Sequence, residues 1–418
     1  PPVGVRPPAG SCSLPNPAFC ETFDTAGSGV RAKPVNPQRI GVARIGPAGN
    51  PTQDQLNPWP MASALGCDGN MMQVQPPNDY YLCPSTSGNH LRQAYNDATN
   101  FTVHSISVRQ LFDFTDRTGT FAFDVDGWFT PGHGTWLELW VTDEPIPVPY
   151  QSAPSVQATP RNAIGFELRH DGCSQDATRN GVSTVFIVKD FDLVRTLASG
   201  DFAESNCYRT ARAAINHIEL RLSRTSLELV ATDAGNASSL HRVALINGLD
   251  LNFTRGFVHV QHSHYNAAKD GHPASETHLY DNFAFDGPAY VLPRTYEIRD
   301  SLEAGREGNV NVGYSAAGGR TVSFQVPGVD VSNVQSGTLN FTVTNFMPGM
   351  SIRHRFNGGT WRTLAHPFPD SSDSWRSLSI PITTSDLRAG ANTLEVSVQG
   401  SNDFTTLANL DVQLIPGG

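Results

Sequence analysis

At 418 residues the chain is too long for one ordinary hydrophobic core, so we expect two domains. Hydrophobic residues make up 39% of it and charged residues only 16%, a composition that favours short strands and turns over long helices. The formal net charge of -10, without a cluster of Lys and Arg, argues against a nucleic-acid partner.

The N-terminal part of the chain is rich in proline. Residues 1–20 contain Pro1, Pro2, Pro7, Pro8, Pro15 and Pro17, which predicts an extended arm or linker. Pro1 stands where a Met would begin a new chain, so we expect a processed N-terminus. Residues 21–88 are dense in Pro, Gly, Asn and Asp, which predicts a long irregular stretch.

The six cysteines lie in close pairs along the chain, without a Cys-x-x-Cys motif. This spacing favours disulfides between sequence neighbours, with a metal site as the alternative. The expected pairs are Cys12 with Cys20, Cys67 with Cys83, and Cys173 with Cys207. No apolar run reaches the length of a membrane span. Together these features predict an extracellular or secreted protein without a membrane span.

Alternating apolar and polar residues begin near residue 89 and predict a series of half-buried strands. Examples are residues 120–126, 135–141 and 217–222, with turn residues between them as in a sandwich. Turn-forming residues become more frequent at 288–293, and a second alternating series follows. We therefore expect a domain at 21–290 and a smaller β-sandwich at 294–418.

Two segments of the first series carry a family resemblance. Residues 216–229 form a strand, turn and strand, and 278–285 contain the pair Asp281-Asn282. This order resembles the second half of concanavalin A-like jelly rolls of secreted bacterial proteins, over about residues 100–290. The resemblance implies an all-β fold, with a jelly-roll sandwich followed by an accessory β-sandwich. Such folds include lectins, glycoside hydrolases, polysaccharide lyases and adhesive modules, so fold alone does not select a function.

A candidate sugar-binding face follows from the alternation in residues 136–141. Trp136, Glu138 and Trp140 share one face of this strand, while the Leu and Val residues between them point inward. Sugars stack on indole rings and bond to carboxylates, and Glu167 and Arg169 alternate likewise on another strand. The alternative is that both Trp are core residues and Glu138 pairs with Arg169.

Two candidate metal sites lie late in the first series. His262, His264 and His278 have ligand types suited to a transition metal, although Ala268 and Lys269 stand where a cupin motif needs Glu. The closing strand could instead hold structural Ca²⁺, a cofactor that the resemblance makes plausible, or its polar residues could simply form turns. The calcium candidates are Asp281, Asn282 and Asp286.

No complete catalytic motif is present. If the protein is an enzyme, a polysaccharide lyase fits better than a glycoside hydrolase, because His259 or Tyr265 could act as base beside Gln261 or Arg169. The leading hypothesis is a secreted carbohydrate-binding, lectin-like protein whose partner is an extracellular polysaccharide or glycan. The alternatives are such an enzyme, or a self-assembling structural or adhesive protein that forms a homo-oligomer through its N-terminal arm.

Overall fold

The computed structural model describes the chain in segments separated by short gaps. These segments are residues 6–7, 12–27, 29, 34–45, 62–74, 79–85, 88–96, 102–126, 134–146, 160–173, 178–211, 214–265, 275–299, 310–313, 320–369, 375–400 and 402–417. Within them the secondary structure consists of strands and short 3₁₀ turns, without an α-helix. The all-β class expected from the sequence is confirmed.

The strands of the first half run from residue 19 to residue 285. They are β1 (Phe19–Glu21), β2 (Ile40–Ile45), β3 (Ala62–Leu65), β4 (Met71–Val74), β5 (Tyr80–Ser85), β6 (Gly88–Asn96), β7 (Thr102–Val108), β8 (Phe112–Asp113), β9 (Gly119–Val125), β10 (Gly134–Thr142), β11 (Ala163–Arg169), β12 (Arg179–Lys189), β13 (Asp192–Ala198), β14 (Glu204–Ser205), β15 (Tyr208–Arg209), β16 (Asn216–Leu222), β17 (Ser226–Asp233), β18 (Asn236–Asn247), β19 (Arg255–Tyr265) and β20 (Ser275–Phe285).

The strands of the second half begin at residue 294. They are β21 (Arg294–Arg299), β22 (Val310–Gly313), β23 (Thr321–Val329), β24 (Val334–Thr344), β25 (Ser351–Phe356), β26 (Arg362–Ala365), β27 (Arg376–Ile382), β28 (Gly390–Gln399) and β29 (Phe404–Pro416).

Two antiparallel sheets form the first sandwich, each nine-stranded in the described residues. One has the order β14-β18-β17-β16-β9-β20-β6-β5, with β1 beside β20. The other, called the inner sheet here because it also contacts the second sandwich, has the order β13-β12-β11-β10-β19-β7-β2. Apolar residues of both sheets alternate into one shared core, which includes Leu137, Leu139 and Phe121.

The second sandwich has a five-stranded and a four-stranded sheet in the described residues. The first contains β21-β29-β24-β27 with β22, and the second has the order β23-β28-β25-β26. No sheet in the described residues mixes strands from the two halves. A sandwich followed by a smaller sandwich is therefore confirmed as the architecture, while the exact domain limits stay a prediction.

The two halves are joined by buried polar contacts as well as apolar ones. The Arg109 guanidinium lies 3.1 Å from an Asp411 carboxylate oxygen and 4.0 Å from Glu297, all of them buried. Phe191 packs edge-on against Phe368, with 5.4 Å between ring centroids. The second sandwich thus lies against the outer surface of the inner sheet.

The N-terminal region departs from the sequence expectation. Ala18 and Phe19 are buried in the core, and β1 pairs with β20, so the arm does not extend to residue 20 as a free segment. Arg6 also donates hydrogen bonds to the carbonyl oxygens of Asn16 and Gly287. The prediction of a long irregular stretch at 21–88 is wrong where β2 and β5 join the sheets. Strand β2 pairs with the distant strand β7, and β5 forms a hairpin with β6.

The cysteine pairing is confirmed. All six cysteines lie in described residues and form the expected disulfides, Cys12–Cys20, Cys67–Cys83 and Cys173–Cys207. Each closes a loop between residues close in sequence, as the spacing predicted. The metal alternative for these residues is excluded.

Candidate functional site

The predicted face of β10 is a hydrogen-bonded cluster around Glu138. Trp136 Nε1 donates to Glu138 Oε1 at 2.6 Å, and Trp140 Nε1 donates to Oε2 at 2.8 Å. Ser263 Oγ donates to Oε1 at 2.5 Å, and Gln261 Nε2 donates to Oε2 at 3.3 Å. The three β10 side chains therefore share one face, as period-two alternation requires.

Burial and a second carboxylate control the ionisation of Glu138. Its strand register places it directly opposite Glu167 on β11. Burial, and next the charge of Glu167, raise the pKa of Glu138 to about 8, against the opposing effect of the hydrogen bonds from Ser263 and both indoles. Because neighbouring side chains donate hydrogen bonds to both of its oxygens, the Glu138 carboxyl is the centre of a buried polar cluster.

This face is closed to solvent. Glu138 and Trp140 are 0% exposed and Trp136 is 4% exposed. Trp140 stacks on Phe186 at 5.7 Å, and both belong to the apolar cluster that contains the core of the second sandwich. The open sugar-binding face expected from the sequence is therefore corrected, because a glycan cannot reach these side chains in this conformation.

The neighbouring candidates occupy the same enclosed region. Glu167 is buried, and Arg169 lies 3.8 Å from its carboxylate and 4.9 Å from the centre of the Trp136 ring. The sequence alternative paired Arg169 with Glu138, whereas the ion pair is made with Glu167. The other half of that alternative, a core position for both Trp residues, agrees with their burial.

The lyase candidates do not form an accessible base. The ring of His259 is fully buried, with Nδ1 bonded to Ser107 Oγ at 2.6 Å and Nε2 to Thr142 Oγ1 at 2.8 Å. Burial lowers its pKa to about 3. Gln261 contacts Glu138, and the side chain of Tyr265 lies outside the described residues. With both ring nitrogens engaged, His259 has no free nitrogen for a substrate proton.

The histidine candidates lie inside the first sandwich. His262 and His278 stack face to face, 3.6 Å between ring centroids, and the Tyr280 hydroxyl bonds to His262 Nδ1. The side chain of His264 lies outside the described residues. Among the residues that the structure describes, no His, Cys, Asp or Glu group has the arrangement of a metal site. The nitrogens of two stacked rings lie in parallel planes, so they do not point toward one position where an ion could bind both.

The calcium candidates make hydrogen bonds and ion pairs with different partners. Asp286 accepts the Thr120 backbone N–H at 2.9 Å and pairs with Arg117 at 2.7 Å. Asn282 Nδ2 instead donates to Asp124 Oδ2 at 2.8 Å. Burial raises the pKa of Asp281 to about 7, a shift that favours its neutral form. A calcium site at Asp281, Asn282 and Asp286 stays a sequence prediction, and the described contacts give it no converging set of oxygens.

The second sandwich has a partly exposed aromatic surface that was not predicted from the sequence. Two arginines lie over the Trp361 ring, with guanidinium carbons 4.7 Å (Arg353) and 4.5 Å (Arg355) from its centroid. Glu395 receives two hydrogen bonds from Arg355, at 2.7 and 3.0 Å. We call this face of β25, β26 and β28 the Trp361 surface; its residues are Trp361, Arg353, Arg355, Glu395 and Gln399, with Ser397 buried beneath them.

A tight hairpin produces the Trp361 surface. Asn357 and Gly358 have φ of 53° and 72°, left-handed values typical of the two central residues of a tight turn, and the Gly359 N–H closes this turn on the Phe356 carbonyl at 2.8 Å. The turn returns the chain so that His354 pairs with Arg362, which places Trp361 beside Arg355. The alternation of buried Ile352, His354 and Phe356 with Arg353 and Arg355 could have identified the face, since a strand with Arg at every second position has a charged outer side.

The chain is similar in fold to several solved structures, at low sequence identity. No protein-family model and no curated protein matches the chain. Among solved structures, it is similar to the lectin UEA-II complexed with galactose, at 12% identity over 64% of this chain and 98% of that chain, with a TM-score of 0.34. It is also similar to a β-1,3-glucanase from Mycobacterium marinum, at 12% identity over 66% and 100%, with a TM-score of 0.36.

A third similar structure is the exoplasmic/lumenal domain of VIP36 in a Ca²⁺/Man3GlcNAc-bound form. Its identity is 13%, over 50% of this chain and 84% of that chain, with a TM-score of 0.32. At identities and TM-scores this low, the similarity concerns the fold and assigns neither a ligand nor an activity to this chain. Within the described residues, no helix has the length and hydropathy needed to cross a membrane.

Proposed function

We propose that this protein is an extracellular glycan-binding protein whose binding site is the Trp361 surface. The observation that carries the proposal is the partly exposed indole of Trp361, flanked by two arginines on a polar sheet face. An accessible indole offers an apolar platform for the C–H face of a sugar ring, and adjacent Arg, Glu and Gln side chains supply partners for hydroxyl groups. The three disulfides fit an oxidising compartment.

The rigidity of the platform supports this function. Arg355 is held by Glu395, and its guanidinium in turn rests on the indole. An indole whose position is fixed by guanidinium contacts loses little conformational freedom when a ligand stacks on its open part, which favours binding. By contrast, the Glu138 cluster has the right residue types for sugar recognition but is fully buried.

Affinity electrophoresis of the full chain through gels containing different polysaccharides tests the proposal. We expect at least one glycan to retard the native protein, and Trp361→Ala to weaken that interaction about tenfold or more, or about 1.4 kcal/mol. Leu240→Ala is the control, because Leu240 is an exposed apolar residue of the first sandwich, 43% exposed. Both variants should unfold within about 1 kcal/mol of the native protein. Equal retardation of Trp361→Ala and the native protein would place the site elsewhere.

A further inference from the structure

The charges of the Trp361 surface are not balanced. Arg355 has the Glu395 carboxylate as its partner, at 2.7 and 3.0 Å. Arg353, on the same face of β25 and over the same ring, has no carboxylate within ion-pair distance among the described residues. Its Nε is also buried without a hydrogen-bond acceptor among them. The face therefore has one guanidinium whose charge and donor capacity are unused.

Arg353 is held in place rather than moving freely in solvent. Its backbone position pairs across the sheet with Thr363 of β26 and Ser397 of β28, and its guanidinium carbon lies 4.7 Å from the centre of the Trp361 ring. A planar guanidinium in a fixed position binds a carboxylate or sulfate through two parallel N–H donors. Because little side-chain entropy remains to be lost, such a contact is favourable even at a partly exposed site.

A cleft continues the surface along β28. Ser397 lies opposite Arg353 and accepts a hydrogen bond from Gln399 Nε2 at 3.0 Å. Gln399 in turn lines a cleft of about 410 Å³, together with Arg320, Val398, Gly400 and Asn402. Ser397 and Gln399 are two residues apart on one strand, about 7 Å. A chain of a few sugar rings could therefore extend from Trp361 past Arg353 to a second arginine in the cleft.

We infer that the glycan bound at the Trp361 surface is acidic, a polysaccharide with carboxylate or sulfate groups; this inference rests on the proposed function. The stacked ring contacts Trp361, and the acidic group of that sugar or its neighbour pairs with Arg353. A protein with a formal net charge of -10 repels polyanions over most of its surface. Its recognition of an acidic chain would therefore need a local cationic site such as this one.

Affinity electrophoresis with matched polysaccharides tests the inference. The gels contain polygalacturonate, dextran sulfate or neutral dextran, and the full chain is compared with Arg353→Gln and Trp361→Ala. We expect polygalacturonate or dextran sulfate to retard the native protein at least tenfold more strongly than dextran, and added salt to weaken this effect. Retardation by only one of the two polyanions identifies carboxylate or sulfate as the group recognised. Arg353→Gln should lose at least tenfold, and Arg353→Lys should recover part of the loss.

The controls separate the inference from the proposed function. Arg195→Gln removes the same charge from an exposed site on the first sandwich and should bind as the native protein does. Equal binding of dextran and the polyanions, lost in Trp361→Ala but unchanged in Arg353→Gln, would overturn the acidic specificity and leave glycan binding intact. No retardation in any gel, or binding to which Trp361 and Arg353 are both irrelevant, would overturn both proposals.

Discussion

At the residue scale, Glu138 shows how a polar group can be essential in a core. Its two oxygens accept hydrogen bonds from the indole N–H groups of Trp136 and Trp140, which have no capacity to accept. Ser263 and Gln261 complete the cluster. If the acceptor is removed, these buried N–H donors lose their hydrogen bonds and water cannot reach them, so the protein is destabilised.

Glu138→Gln should destabilise the protein by about 1–3 kcal/mol, because the amide nitrogen would face an indole N–H that needs an acceptor. The free energy of unfolding in urea measures the effect. Glu204→Gln is the control, since the Glu204 side chain is 43% exposed and pairs with Arg242 at the surface. A Glu138→Gln variant as stable as the native protein would mean that the indole donors find other partners.

The same scale separates the tryptophans by role. Trp140 is enclosed between Phe186 and the rest of the cluster, whereas Trp361 is partly exposed, with two arginines over its ring. Both occupy strands or hairpins with alternating polar residues, so their sequence contexts look alike. Only the exposed one has a ring face for a ligand.

At the element scale, the close pairing of β10 with β11 depends on Gly165. Gly165 is the cross-strand partner of Trp140, and the indole lies directly over it. A Cβ at residue 165 would lie 2.2 Å from Trp140 ring atoms, far inside van der Waals contact. The ring would have to shift away from Phe186 and disturb the contact between the two sandwiches.

Gly165→Ala should therefore destabilise the protein by about 1–3 kcal/mol through overpacking. The midpoint of chemical denaturation measures the change. Gly200→Ala is the matched control: no atom lies within 4 Å of the Cβ position there, so it should change stability by less than about 0.5 kcal/mol. A neutral Gly165→Ala would show that the indole has room to move.

At the scale of the whole molecule, buried titratable groups determine how stability depends on pH. Burial lowers the pKa of His259 and His278 to about 3 and that of His90 and His354 to about 4. Unfolding then takes up protons below pH 6.5, so stability falls as the pH drops from 6.5 toward 3. Burial also raises the pKa of Glu138 and Glu144 to about 8, so stability falls as the pH rises from 4.5 through 8.

We expect maximum stability near pH 6.5, because more histidines than carboxyls contribute below that value. Above it the raised pKa values of Glu138 and Glu144, about 8, and of His217, about 9, all make stability fall as the pH rises. Each proton exchanged on unfolding changes the free energy by about 1.4 kcal/mol per pH unit. Urea denaturation between pH 4 and pH 9 measures the profile. Glu144→Gln should reduce the decline above pH 6.5. Stability that keeps rising from pH 6.5 to 9 would contradict the assignment of neutral, buried carboxyls.

Much of the architecture was predictable from local patterns. Period-two alternation identified the strands after residue 100 and the inward residues Leu137 and Leu139, because the side-chain period of a strand is independent of its partners. Cysteine spacing predicted the disulfides, since short loops close most readily. Strand β2 escaped prediction because its residues become extended by pairing with β7, far along the chain. Strand β5 forms a hairpin with the next strand, β6, and its local sequence lacked a clear alternation.

The sequence alone determined that this protein is a two-part β-sandwich and that Trp136, Glu138 and Trp140 share one face of a strand. Only the tertiary structure decided that this face is buried, because alternation reveals which residues lie together and not what covers them. The second sandwich packs there, near Phe191 and Phe368, while the Trp361 surface has no such cover in the described residues. Exposure is a property of the packing between distant segments, and alternation within one strand does not encode it.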